Sequence, residues 1–171
     1  FPYAEPAVAL WAARELGRPV KWTASRNEIF LADAHARDHV TEAELALDAD
    51  GKFLAMRVST VANMGAYLQL FAPLIPTDAA VLHGSPYAIP ATHVRVRGAY
   101  THTVPVDAYR GAGKPEAAYV TERLVDAAAR EMSIPRDELR LRNFVRSDQM
   151  PYGTATGIEL DSGDFAGNFE K

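Results

Sequence analysis

Eight consecutive residues, Tyr109-Arg110-Gly111-Ala112-Gly113-Lys114-Pro115-Glu116, place two cations and two glycines at the head of an alanine-rich stretch. The chemistry these types suit is anion binding. Gly111 and Gly113 remove side chains where a ligand could approach the backbone, and Pro115 pre-sets a first helical turn. The helix start offers N–H groups carrying a partial positive charge. Two familiar phosphate motifs do not fit. A P-loop needs glycine where Ala108 stands and a Ser or Thr where Pro115 stands. A dinucleotide turn beginning at Gly111 needs glycine at the place of Glu116. Phosphate, carboxylate and a metal-bound oxygen all remain open as ligands, and so does a plain tight turn that starts a helix.

Other candidate groups are weaker. His35 and His39 have the four-residue spacing of a metal pair on a helix, but they sit in a polar, aperiodic stretch with no cysteine and no third ligand in register. His83, His93 and His102 stand alone and read as structural or surface histidines. Glu42 and Glu44 share the wet face of a strand, where solvation explains them and no apolar pocket is implied that would shift a carboxyl pKa. None of Ser25, Ser59, Ser85, Ser133, Ser147 and Ser162 has a nucleophile-elbow context.

The elements that would position the loop can be read on either side of it. Val94, Val96 and Tyr100 alternate with Arg95, Arg97 and Thr101 as a strand leading into the loop, and a helix follows from Pro115 to about Met132. Its apolar stripe is read as Tyr119, Val120, Leu124, Ala127 and Ala128. A second helix runs from Pro135 to about Asn143. Upstream, residues 40–47 and 54–60 alternate on either side of Asp48-Ala49-Asp50-Gly51-Lys52, which is a hairpin signal. Asn63-Met64-Gly65-Ala66-Tyr67 ends the hairpin, and residues 68–92 are expected as a long connection. Residues 4–16 read as a buried helix stopped by Gly17, residues 18–23 as a short strand, residues 25–38 as a surface connection, and residues 150–171 as a connector. The whole predicts an α+β domain with an antiparallel or mixed sheet and packed helices.

With 18 Lys and Arg against 22 Asp and Glu, the net charge is −4, and no basic stripe interleaved with aromatics marks a nucleic-acid binder. The absence of cysteine excludes disulfides, thiolate metal sites and an iron–sulfur cluster within these residues, and is compatible with a reducing, cytoplasmic setting. No apolar run approaches a membrane span. Residues 1–171 are expected to form a single partial domain, with flanking parts on both sides.

The stretch from Asp107 to Ala117 closely resembles the cofactor loop in the molybdenum-binding large subunits of the xanthine dehydrogenase, aldehyde oxidase and aerobic carbon monoxide dehydrogenase family. Gly17-Arg18-Pro19-Val20-Lys21-Trp22, Asn63-Met64-Gly65-Ala66-Tyr67 and Leu139-Arg140-Leu141-Arg142-Asn143-Phe144 resemble further landmarks of the family, in the same order. The resemblance covers essentially all 171 residues, and the carbon monoxide dehydrogenase-like branch fits best. It implies a molybdenum–molybdopterin cofactor, as a dinucleotide, that hydroxylates a small-molecule substrate with oxygen from water. It also implies a hetero-oligomer in which iron–sulfur clusters and FAD lie in partner subunits or domains. By position, Arg110 and the amides of Gly111, Ala112 and Gly113 would lie against the molybdenum and pterin. No catalytic residue and no protein ligand to the metal is expected inside the chain, since the family's general-base glutamate would lie beyond Lys171.

Departures from the pattern narrow the substrate. Carbon monoxide-oxidising members place a copper-binding cysteine at the position of Gly111. Purine-hydroxylating members place an aromatic ring at the position of Ala112 and an arginine before the third strand, where this chain has no Arg or Lys between Arg57 and Arg95. An aldehyde or another small organic molecule is left by elimination. The 171-residue chain alone is expected to be inactive, and the rival reading is a non-catalytic assembly module that keeps the fold.

Overall fold

A computed structural model describes residues 3–171 and shows the expected α+β architecture, a mixed sheet with packed helices. Helices α1 (Ala4–Leu16) and α2 (Arg26–Ala32) precede the hairpin of β1 (His39–Leu47) and β2 (Phe53–Gly65). Helix α3 (Leu74–Leu82), strand β3 (Ala91–Tyr100), the long helix α4 (Lys114–Met132) and α5 (Arg136–Asn143) follow. A small ribbon of β4 (Tyr152–Gly153) and β5 (Glu159–Leu160), then α6 (Phe165–Phe169), complete the chain. No helix among the described residues is long and apolar enough to cross a membrane.

The main sheet has the order β1-β2-β3. Strands β1 and β2 are antiparallel, with Thr41 opposite Thr60 and Leu45 opposite Met56. Asp48 closes the hairpin turn, its Oδ1 accepting the N–H groups of Asp50 at 3.0 Å and Lys52 at 2.8 Å. Strands β2 and β3 are parallel. A parallel neighbour requires a crossover, and α3 lies within it. The period-2 pattern sends Ala43, Leu45, Met56, Val58 and Val94 to one face, where α4 packs, and leaves Glu42, Glu44 and Arg57 on the other.

The main core joins Met56, Val58, Val125, Ala128, Ala129 and Leu139 to a set of rings. Tyr87 stacks on Phe144 with centroids 5.1 Å apart, and Phe53 meets Tyr87 edge-on at 5.4 Å. Asn143 fastens α5 to the hairpin: its Oδ1 accepts from Phe53 N–H at 2.9 Å, and its Nδ2 donates to Gly51 O at 2.8 Å and Leu139 O at 2.9 Å. Arg140 donates to Glu122 and Asp126 on α4, locking the two helices together. The Tyr87 hydroxyl donates to Glu122 at 2.8 Å, and burial holds its pKa well above the usual range.

Several expectations are corrected. Residues 4–16 are helical but not buried: none of them is, and Leu10 is 73 % and Trp11 64 % exposed. Residues 18–23 are not a strand: the chain bends at Arg18, and residues 19–23 take no regular structure and pair with no strand among the described residues. The stretch 25–38 contains α2, started by a capping box in which Ser25 Oγ accepts Glu28 N–H and Glu28 accepts Ser25 N–H. The connection 68–92 contains α3, and the tail contains β4, β5 and α6. Strand β2 runs on to Gly65. The fully buried stripe of α4 is Ala117, Thr121, Val125, Ala128 and Ala129; of the stripe read from apolar residues, Ala128 is buried and Val120 and Leu124 pack half-buried against the core, so the centre of the face is offset. The offset arises because Thr121 is buried to accept Gly84 N–H at 3.2 Å, while Tyr119 faces outward at 69 % exposure.

Candidate cofactor site

The approach to the glycine loop is clamped from three directions. Val106 makes an isolated parallel bridge with His35; His35 N–H donates to Pro105 O at 3.0 Å and Asp107 N–H donates to His35 O at 2.8 Å. Gly65 lies so close that a Cβ there would stand 2.4 Å from both Val104 O and Pro105 Cα, so only glycine fits at that φ of +73°. Asp107 is buried, and its Oδ1 accepts Phe71 N–H at 3.2 Å and Ala108 N–H at 2.7 Å. Its Oδ2 is buried with no hydrogen-bond partner among the described residues.

The loop itself is a double turn. Ala112 N–H donates to Tyr109 O at 3.0 Å, Lys114 N–H to Gly111 O at 2.8 Å, and Ala117 N–H to Gly113 O at 3.0 Å. The two glycines, both at positive φ, are needed for different reasons. A Cβ on Gly113 would lie 2.5 Å from Ala79 N and 2.6 Å from Asp78 Cβ, so this glycine seats the start of α4 against α3. A Cβ on Gly111 would meet only the Pro115 ring, at an ordinary 3.6 Å. Gly111 therefore answers to its φ of +96° and to the open space on its outer side. Arg110 is exposed and forms no ion pair or side-chain hydrogen bond among the described residues. The N–H groups of Gly111 and Gly113 have no backbone acceptor there, whereas that of Ala112 is used inside the turn.

Glu116, in the first turn of α4, pairs with Arg37 and has only 9 % of its side chain exposed. A carboxylate at that position also complements the helix dipole. Burial lowers the pKa of the neighbouring His39, and the charge of Glu116 works in the opposite direction. These residues line a cavity of about 630 Å³ along the seam of β1 and α4, with Val120, Leu124 and Arg123. None of residues 110–113 lines it, so this groove is separate from the loop.

Histidines 35 and 39 are not brought onto a helical face: His35 sits in the bridge to Val106 and His39 opens β1. No group of three or more His, Asp or Glu residues that could hold a metal ion occurs among the described residues. Glu42 and Glu44 are exposed, Glu44 paired with Arg57. His83 is buried with Nδ1 unpartnered, while His93 and His102 are exposed. The buried acceptor role of Asp107, the close approach at Gly65 and the Arg37–Glu116 pair are not legible in the sequence. A buried Asp three residues before an Arg-Gly turn carries no periodic signal, and the Gly65 contact joins residues some forty positions apart.

The group implied by the resemblance is oxygen-rich and anionic, and the loop suits one side of it. An unpaired guanidinium stands beside a glycine amide with no acceptor, on a turn that leaves open space, and a guanidinium pairs well with phosphate or polarised oxygen. No side chain here offers a soft or charged ligand to the metal itself.

The fold is a mixed sheet with a crossover helix, with a glycine turn and an unpaired arginine ahead of a 19-residue helix. Residues 1–144 match the family described as the molybdopterin cofactor-binding domain, and the chain belongs to that family. Its relatives are molybdenum oxidoreductases. It is 41 % identical over 92 % of its length to the carbon monoxide dehydrogenase large chain of Hydrogenophaga pseudoflava, covering 20 % of that protein. It is 37 % identical over its whole length to the 6-hydroxypseudooxynicotine dehydrogenase complex subunit gamma of Paenarthrobacter nicotinovorans, covering 22 % of it. Among solved structures, quinoline 2-oxidoreductase from Pseudomonas putida 86 superposes with a TM-score of 0.87 at 31 % identity, over 97 % of this chain and 21 % of that one. The chain thus spans about a fifth of the length of the relatives it matches.

Proposed function

We propose that residues 110–113 form one wall of the molybdenum cofactor site in an oxidoreductase that hydroxylates a small organic molecule with oxygen from water. The observation that carries this is the unpaired, exposed Arg110 beside the open Gly111, on a turn that Asp107, Gly65 and α3 hold in place. Arg110 and the Gly111 N–H face the cofactor, while Ala112 and Gly113 build the turn that presents them. When bound, the molybdenum–pterin group, here as a dinucleotide, supplies the redox chemistry. The chain's own residues orient it and offer positive charge to its oxygens.

The general base is a glutamate outside residues 1–171, and iron–sulfur and flavin parts of a cytoplasmic hetero-oligomer take the electrons. The domain given by residues 1–171 is partial and inactive by itself. Gly111 offers no thiolate for copper, which sets carbon monoxide aside. Aldehydes head the substrate list, and relatives named for nicotine and quinoline add nitrogen heteroaromatics to it.

Replacing Arg110 with Ala in the full subunit and measuring bound molybdenum tests the wall. A fall in metal content and activity is expected, and unchanged values of both would remove Arg110 from the site. Dye reduction with aldehydes and heteroaromatics by the 171-residue chain supplied with cofactor is expected to be nil.

A further inference from the structure

The N-terminal arm is built as though something covers it. Helix α1 carries charge only at Glu5, Arg14 and Glu15. At 3.6 residues per turn, Val8, Leu10, Trp11 and Leu16 point to different sides, so the helix is apolar around most of its circumference. Such helices belong in interiors. Yet α1 buries no residue, and Leu10, Trp11, Val8 and Leu16 are all more than half exposed.

Gly17, at φ +64°, turns the chain back so that Val20 and Trp22 lie beside Ala9 and Ala12 of α1. Residues 19–23 lie in no helix or strand, and no hydrogen bond to a described residue is made by the N–H groups of Val20, Lys21, Trp22 or Thr23. Val20 and Trp22, two positions apart and both beside α1, are 36 % and 49 % exposed. The sequence has the composition of a strand, and Pro19 sits where a strand tolerates it.

We infer that residues 18–23 form a strand that pairs edge to edge with a strand from another part of the same subunit, which also lays an apolar layer over α1. The choice of occupant rests on length. The related subunits are about five times as long as this chain, so ample polypeptide is available to contribute one strand and one layer. The site's composition agrees. A segment with unpaired amides can add a strand through main-chain bonds, and its alternate side chains, Val20 and Trp22, call for apolar partners. An arm apolar on nearly all sides suits permanent cover rather than a reversible contact.

Residue-resolved hydrogen exchange on the full subunit tests this, without reference to cofactor content, so its outcome is independent of the role of Arg110. Pairing along one edge protects alternate amides. Among Val20, Lys21, Trp22 and Thr23, alternate amides are expected to exchange more than about 100-fold slower than in an unstructured peptide of the same sequence. Exchange at peptide rates throughout the segment would overturn the inference. The same measurement at a dilution where sedimentation shows a monomeric subunit identifies the neighbour: retained protection supports a strand of the same chain, and protection lost on dilution overturns it in favour of a second copy. In parallel, iodide quenching of Trp11 and Trp22 in the full subunit is expected to be several-fold weaker than for free tryptophan. Quenching equal to that of free tryptophan would contradict the apolar layer.

Discussion

The core between His39 and Val145 and the arm between Tyr3 and Ala32 are made of similar residue types and have opposite fates. In the core, Val58, Val125 and Leu139 are fully buried at 0 % exposure, and each lies across a long-range contact from a complementary element. In the arm, leucines and tryptophans of equal hydrophobicity stay largely in water because no complementary layer among the described residues covers them. Hydrophobic pattern fixes what an element is; only a partner fixes whether it is buried. The sharpest way to break this comparison is a pair of truncations read by urea denaturation of the chain. Leu139→Ala leaves a cavity at the junction of α5 and the hairpin and is expected to cost about 3 kcal/mol. Leu10→Ala removes the same atoms from an exposed site and is expected to cost less than about 0.5 kcal/mol. Equal costs would mean that α1 is buried in solution.

The two loop glycines extend the comparison to a finer scale. Gly113→Ala must push a Cβ into the backbone of α3, where Ala79 N would be 2.5 Å away, and is expected to destabilise by about 3 kcal/mol through strain and overpacking. Gly111→Ala meets no clash and carries only the penalty of its positive φ, about 1 kcal/mol. In the full subunit the order of effect reverses relative to stability: Gly111→Ala narrows the open side of the turn and is expected to lower molybdenum content beyond what its stability loss explains. Melting curves alongside metal analysis separate the two.

Asn143 is the corresponding test for the core alone. Its amide satisfies three buried backbone groups, on Phe53, Gly51 and Leu139. Asn143→Ala leaves them unpaired and is expected to cost about 2 kcal/mol by urea denaturation. A near-zero cost would show that water replaces the amide.

Much of this was legible in the sequence where the signal is local. The Asp48 to Lys52 turn, the alternation of β1 and β2, and the proline-started α4 all follow from neighbours within a few residues. The loop could be singled out from Arg110, Gly111 and Gly113 alone, but the separate tasks of its glycines could not, because Asp78 and Ala79 are more than thirty positions away. Helix α3 was hidden by Pro73 and Pro76, which suggest a loop but sit at the start of a helix, where a missing N–H is harmless. The exposure of α1 is not legible, since periodicity reports an apolar surface and not its cover. Thr121 carries no core signal, because its hydroxyl is polar and its partner, the N–H of Gly84, lies 37 positions away.

The smallest expected effect concerns the buried His83. It is 5 % exposed, its Nδ1 has no partner, and burial lowers its pKa from the ordinary value near 6.5. A histidine whose folded pKa is depressed binds protons more readily when unfolded. Its neutral form therefore costs nothing above about pH 6.5, and stability is lost as pH falls from there toward the folded pKa. His39, also lowered by burial, acts in the same direction, although the charge of Glu116 opposes it. The chain is thus expected to lose stability between pH 7 and pH 5 in urea titrations, and His83→Gln is expected to make that slope shallower whatever it does to stability at pH 7. An unchanged slope in the variant would mean that His83 takes up its proton as readily in the folded chain as in the unfolded one. The buried imidazole would then have to be reached by water beside α3, and this part of the core would resemble the arm more than its burial suggests.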